Sequence, residues 1–308
     1  MQEVVGRGAC LFVFGGRQPA ASGATYDGSE EITSLHDMHR LELATGRWEE
    51  LACTGDIPSG RSYCAMALFP GSLSDHNLYL FGGMINDERY RDLYAFDTTS
   101  MVWTRLPDGP MEGRGGAGLC SAGGSLWVLA GFCGRPVGDV WEYVPESKEW
   151  KDHPEMTLAL PRSIFACCSG VGGDGEVLTV FGGELVAAAG NEEAGVYTDE
   201  VLSIAVGHRG AAGGGGGGAA TAVPVAGPVA RSAGRVRPAA RGWTSGCRVQ
   251  YRDRDHGHDG YGTGIASTHT ERRTRLGTRT GFAVFGGISK GRQGEPPGVR
   301  LGDLIILE

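Results

Sequence analysis

Residues 61–106 read RSYCAMALFPGSLSDHNLYLFGGMINDERYRDLYAFDTTSMVWTRL, and this stretch decides the fold. An arginine opens a short apolar run, a polar turn follows, and a second apolar run closes in Gly82-Gly83. After a variable loop come an acid, an apolar-aromatic run, a turn and Trp103. Short aromatic and aliphatic runs bounded by turn residues predict four antiparallel strands. The pattern recurs downstream as RGGAGLCSAGGSLWVLAGF…GDVWEYVPESKEWKDH from Arg114 and as RSIFACCSG…VLTVFGGE…TDEVLSI from Arg162. It returns as RGWTSGC from Arg241, resuming at GFAVFGG…RLGDLIILE. Upstream, LFVFGG…LHDMHRLELATGRWEEL is a copy without most of its opening strand.

Self-similarity at roughly 50 residues points to a repeat architecture. One four-stranded unit cannot bury both of its faces, so several units must stack around an axis. The units resemble the kelch repeat, which implies an all-β propeller, here with five recognisable blades in a single domain over 1–308. The glycine pairs allow positive φ and a close pass beside the neighbouring blade. Trp48, Trp103 and Trp150 are expected to pack between blades, where their area dominates burial.

Two stretches break the pattern. Where the fourth blade calls for a Trp strand, 207–240 is rich in Gly, Ala and Pro, too poor in apolar surface to offset chain entropy. This predicts a disordered insertion, within which TAVPV could supply a short edge strand. A charged stretch at 252–280 interrupts the fifth hairpin and is expected to be equally solvated. No Trp strand follows GDLIILE, and residues 1–6 offer none. The expectation is an open ring or a six-bladed propeller lacking about one blade at the N-terminus.

The apolar fraction of 41% and the absence of a long apolar run fit a soluble domain, and MQEVVGRGACLFVFGG does not read as a signal peptide. Glycine is the outlier at 54 of 308 residues. The eight cysteines include no CxxC, which favours reduced strand cysteines and a cytoplasmic or nuclear location. Cys167 and Cys168 are adjacent and so should point to opposite faces of a strand. The net charge of −8 divides into +8 over 207–280, from twelve Arg against four acids, and −16 elsewhere. A uniformly basic nucleic-acid binder is excluded, and docking of nucleic acid by the basic insertion would rest on charge alone.

RGGAGL at 114, RSIFA at 162, FGGE at 181, RGWT at 241 and the terminal GDL are similar, in that order, to the nitrile-specifier and thiohydroximate-forming kelch proteins. That resemblance covers nearly the whole chain outside the two insertions. It implies a loop after the GGE strand whose Glu, Asp and His hold Fe(II), with cavity arginines on a substrate sulfate. The Glu position is Glu184, the Asp position is Ala188, which has no lone pair to offer, and the His position is Glu192. Glu193, Asp199 or Glu200 could complete an all-carboxylate cluster, which favours a hard ion over iron. The plainer alternative is that Glu184 accepts a hydrogen bond from backbone or an arginine.

Arg61, Arg114, Arg162 and Arg241 open the first strands of four blades and should lie on one ring. As a set they would attract an anion into an axial cavity; singly, each could pair with an acid of the next blade or cap a carbonyl. The chain has no GxSxG, P-loop or HExxH motif, and its histidines are scattered. The expectation is a non-enzymatic propeller, without cofactor, that binds a protein or a small anion through its loops. The alternative is an Fe(II)-dependent lyase-like specifier acting on thiohydroximate-O-sulfates or a related sulfated substrate, with Glu184 and Glu192 on the metal.

Overall fold

The computed structural model describes residues 3–4, 10–18, 33–70, 76–172, 175–185, 196–206, 245–252, 278–285, 288–289, 299–300 and 304–307. Five sheets follow one another along the chain. The first contains β1 (Glu3–Val4), β2 (Cys10–Gln18), β3 (Thr33–Glu42) and β4 (Arg47–Glu50), side by side in that order. The second contains β5 (Thr54–Gly55), β6 (Ala65–Pro70) and β7 (His76–Phe81), with β8 (Met84–Ile85) and β9 (Glu88–Arg89) forming a small side ribbon. It is completed by β10 (Leu93–Asp97) and β11 (Val102–Leu106), in the spatial order β5-β11-β10-β7-β6. The third sheet, β12 (Gly118–Ala122), β13 (Ser125–Phe132), β14 (Pro136–Val144) and β15 (Glu149–Asp152), is a plain meander.

In the fourth blade β16 (Arg162–Ser163) belongs to a side ribbon, while β17 (Ala166–Gly172) and β18 (Gly175–Phe181) begin the main sheet. The ribbon adds β19 (Glu184–Leu185) and β20 (Val196–Tyr197), and the sheet ends in β21 (Val201–Val206). The fifth has β22 (Ser245–Arg252), β23 (Thr278–Phe285) and β26 (Leu304–Leu307), beside the ribbon β24 (Ile288–Ser289) and β25 (Val299–Arg300). The insertion expected at 207–240 lies outside the described residues. Of that at 252–280, Arg252 ends β22 and Thr278–Thr280 begin β23, and the rest also lies outside.

The opening strands β6, β12, β17 and β22 lie against one another in sequence order, so successive sheets meet along their inner edges as propeller blades do. Both faces of a blade are covered, which explains why the second strand of each unit reads as a continuous apolar run. Leu78 and Leu80 of β7 pack with Phe12, Phe14 and Met38 of the first blade. Tyr79 and Phe81, on the opposite face, pack with Leu126 and Val128 of the third. Trp127 and Leu129 then meet Leu178 and Val180 of the fourth. Each large apolar side chain so buried contributes about 1.5–3 kcal/mol, so the inter-blade layers supply the cohesion.

Trp103, 1% exposed, sits 5.3 Å from Phe14 of the preceding blade. Trp150 reaches back likewise, with its ring 5.9 Å from Phe81 and its indole N–H donating to the Pro107 carbonyl. Trp48 departs from the expectation, being 53% exposed. Its two counterparts are covered by the blade before them, and none of the described residues plays that part for Trp48.

The glycine pairs adopt the expected left-handed backbone, with φ of 61° and 97° at Gly82 and Gly83. A Cβ on Gly82 would stand 2.7 Å from the Arg114 carbonyl oxygen of the next blade, whereas one on Gly124, at φ +77°, would meet nothing within 4 Å. Gly124→Ala is therefore expected to cost only the left-handed strain, about 1–2 kcal/mol, and Gly82→Ala distinctly more. Urea midpoints of the two variants check this, and equal losses would contradict a tight blade-to-blade approach.

Candidate functional site

The repeat arginines are placed by the extended segment that enters each inner strand, and their side chains turn inward. Arg61 is 1% exposed, and its Nε and Nη atoms donate to the Ser59 carbonyl, the Ser59 hydroxyl, the Gly82 carbonyl and both oxygens of Asp92, the last two at 2.6 and 3.0 Å. Arg114 repeats the arrangement on the Glu112 and Ala130 carbonyls and both oxygens of Asp139. Arg162 donates to the Leu160 and Gly182 carbonyls and to the Glu200 carboxylate. Asp92 and Glu200 immediately precede the third main-sheet strand of their blade, β10 and β21, and Asp139 lies within its counterpart β14. The acid thus comes from the arginine's own blade and not from the next one, while the alternative of capping carbonyls is met at all three arginines.

These three cations do not form an open ring of charge. Each is enclosed and already holds a carboxylate in the fork that a sulfate or phosphate would need. Burial by itself pushes the Asp139 carboxyl up. The hydrogen bonds and charge of Arg114, with the Trp141 N–H, outweigh that and hold it below the usual carboxylate range. Arg241, the fourth member of the expected set, lies outside the described residues.

Glu184 follows the glycine pair of the fourth blade. Its backbone pairs with Ser163 and Tyr197, as Met84 pairs with Ser62 and Phe132 with Gly115 in earlier blades. It therefore belongs with Met84 and Phe132 to a row of half-buried residues that follow the glycine turn of the second, third and fourth blades. Ala188, Glu192 and Glu193 lie outside the described residues, and Glu200 is engaged by Arg162. Among the described residues no three His, Cys, Asp or Glu side chains converge as a metal site.

The same end of the blades carries a surface that sequence reasoning missed. Arg17, next in line after Gly15-Gly16, lies with its guanidinium 4.7 Å above the Tyr63 ring of the second blade and donates to the Ser62 hydroxyl. Arg89 lies 5.0 Å over Phe132 of the third blade. Tyr63, Gly116 and Ile164, each two residues beyond a repeat arginine, all have positive φ, of 56°, 61° and 49°. They are strung together by backbone bonds: the Gly116 N–H donates to Tyr63 and the Ile164 N–H donates to Gly116. Left-handed Tyr and Ile each cost about 1–2 kcal/mol, and these cross-blade bonds hold them there. The side chains that result are Arg, Tyr, Phe and Met, half-buried to exposed, set along the first two blade joints. A signal was present in the sequence as the residue after each GG, but its significance depends on which blade it leans against.

Two outcomes follow from the buried pairs. Asp92→Ala, which leaves Arg61 charged and buried, is expected to cost about 3–5 kcal/mol; Asp108→Ala, whose partner Arg105 is exposed, about 0–1 kcal/mol. Because the Asp139 pKa is depressed, its stabilisation is complete above the unfolded value of about 3.9 and is lost as pH falls through the lower folded value. Denaturant midpoints between pH 6 and pH 3 should drop more steeply for the wild type than for Asp139→Asn.

Residues 2–184 match the KLHDC2/KLHL20/DRC7 Kelch-repeats domain model. Among curated proteins, acyl-CoA-binding domain-containing protein 5 of Arabidopsis thaliana is 31% identical over 133 residues, 42% of this chain and 18% of that protein. Kelch domain-containing protein 10 of Rattus norvegicus is 28% identical over 178 residues, 54% of this chain and 40% of that one. Kelch domain-containing protein 2 of Bos taurus is 30% identical over 151 residues, 47% and 35% of the two chains. The matches thus span well under half of each relative's own length. The nitrile-specifier likeness finds no support in these matches. With the repeat, the glycine turns and the blade order all in agreement, the chain belongs to the kelch-repeat family.

Proposed function

We propose that this kelch propeller is a protein-binding module that receives its partner on the glycine-turn end of the blades, over Arg17, Tyr63, Arg89 and Phe132. The observation that carries this is the pair of arginine–aromatic stacks bridging successive blades. Arginine and aromatic side chains held on a rigid frame dominate the energetics of interfaces, because they offer large contact area for little lost freedom. Loops anchored on such a frame are where propellers host recognition.

Panning a displayed random-peptide library on the protein tests the reading. Selected peptides are expected to lose at least tenfold in affinity on Arg17→Ala and Arg89→Ala, and to be indifferent to Lys148→Ala on the outer turn between β14 and β15. Ligands that respond to Lys148 and not to the arginines would place recognition on the outer edge.

The finer Fe(II)-dependent reading rests on Glu184, the member of the expected pair Glu184 and Glu192 that is among the described residues. Protein loaded anaerobically with Fe(II) and then desalted is expected to retain no stoichiometric iron. Iron held by the wild type and lost from Glu184→Ala would replace the binding-module reading with a search for a sulfated substrate.

A further inference from the structure

We propose that Cys120 and Cys167 are an oxidative modification site, closing under peroxide into a disulfide that ties the third blade to the fourth. The two residues lie on adjacent inner strands, β12 and β17, that run side by side at the blade joint. Gly118 and Cys120 share the face of β12 that looks toward the fourth blade, since side chains two apart fall on one face. Phe165 and Cys167 look back at them: a Cβ on Gly118 would stand 2.9 Å from the Cys167 sulfur and 2.7 Å from the Phe165 ring. Only a glycine there lets the Cys167 side chain lie so close to β12. The sulfur is 4.0 Å from the Leu119 carbonyl oxygen, the residue next to Cys120. Cys120 belongs to the packed cluster at this joint, and Cys167 packs against it.

The neighbouring Cys168 is turned away, against Ala166, Phe181 and Val201 on the opposite face of the blade. Adjacency in sequence therefore pairs the wrong two cysteines, and the tertiary structure selects Cys120 as the partner. The pair is also asymmetric. Cys167 is partly buried, and the neighbouring Cys120 thiol draws its pKa below the ordinary value. Cys120 is 3% exposed, and the neighbouring Cys167 thiol together with burial pushes its pKa up. The more accessible, more acidic sulfur attacks first and the enclosed one resolves.

With hydrogen peroxide as oxidant, the Cys167 thiolate attacks one peroxide oxygen. The O–O bond breaks, hydroxide leaves, and Cys167 becomes a sulfenic acid. The Cys120 sulfur, giving up its proton, then attacks the Cys167 sulfur and expels the hydroxyl group as water. Two thiols have lost two electrons and two protons, and one peroxide has become two waters. The new bond spans a joint held by apolar packing, the Ile164 N–H bond to Gly116 and the Gly123 N–H bond to the Glu176 carboxylate.

The test is peroxide titration of the whole protein, quenched with an alkylating agent and mapped by non-reducing peptide mass spectrometry. The expected result is loss of two of the eight thiols, a Cys120–Cys167 cross-linked peptide assigned by fragmentation, and full reversal by dithiothreitol. Cys168→Ser should leave the cross-link intact, and Cys167→Ser should abolish it. The wild-type map reads the answer even where a variant folds poorly. Cys120 and Cys167 both remaining alkylatable while other thiols oxidise, or Cys167 found joined to Cys168, would overturn the proposal.

Discussion

A guanidinium buried against a carboxylate inside each of the second, third and fourth blades is the interaction on which the rest of this structure depends. The side chain of Arg61 joins three separated segments of its blade: the entry to the inner strand, the glycine turn and the acid before the third strand. Its main chain faces the other way, and its carbonyl accepts the Gly16 N–H of the preceding blade. Arg114 does the same toward Gly83. One residue type thus closes a blade with its side chain and docks the neighbour with its backbone. Burying such charges is costly, and it is tolerated only because the fork is filled.

This clamp has consequences for where chemistry can occur. It neutralises the charged residue that recurs most regularly, so a binding surface has to be built from residues that vary between blades. Those are the residues after the glycine pairs and two places beyond the clamp arginines, which the geometry sets along the blade joints. The positive φ of Tyr63 and Ile164 fits that division, since strained backbone tends to collect where side chains are aimed for recognition. A propeller by itself implies no activity; what distinguishes this one is the identity of its variable positions.

The blade joints are not equivalent either. The first two are filled by rings, with Phe14 on Trp103 and Phe81 on Trp150. Between the third and fourth blades the inner edge is lined instead by Gly118, Cys120, Phe165 and Cys167. Small and polarisable side chains let the inner strands draw close there, and the same closeness brings two thiols within reach of each other.

Much of this was legible in the sequence because it is local and repeated. The strand runs, the glycine pairs and the tryptophans recur with the unit, and turn sterics and burial act on each copy alike. The acid before the third strand was visible too, but nothing local says that Asp92 folds back onto Arg61 and not onto the next blade. Trp48 looks like Trp103 in sequence and differs only in having no described blade at its back. Cys167 has Cys168 beside it in the chain and Cys120 beside it in space. The sequence by itself determined the unit, because its signals lie within one or two strands. Only the tertiary structure decided which charges are neutralised, which rings are covered and which sulfurs meet, because each of those depends on residues far apart in the chain, from 25 positions for Arg114 and Asp139 to 89 for Phe14 and Trp103, being brought together by the folding and packing of blades.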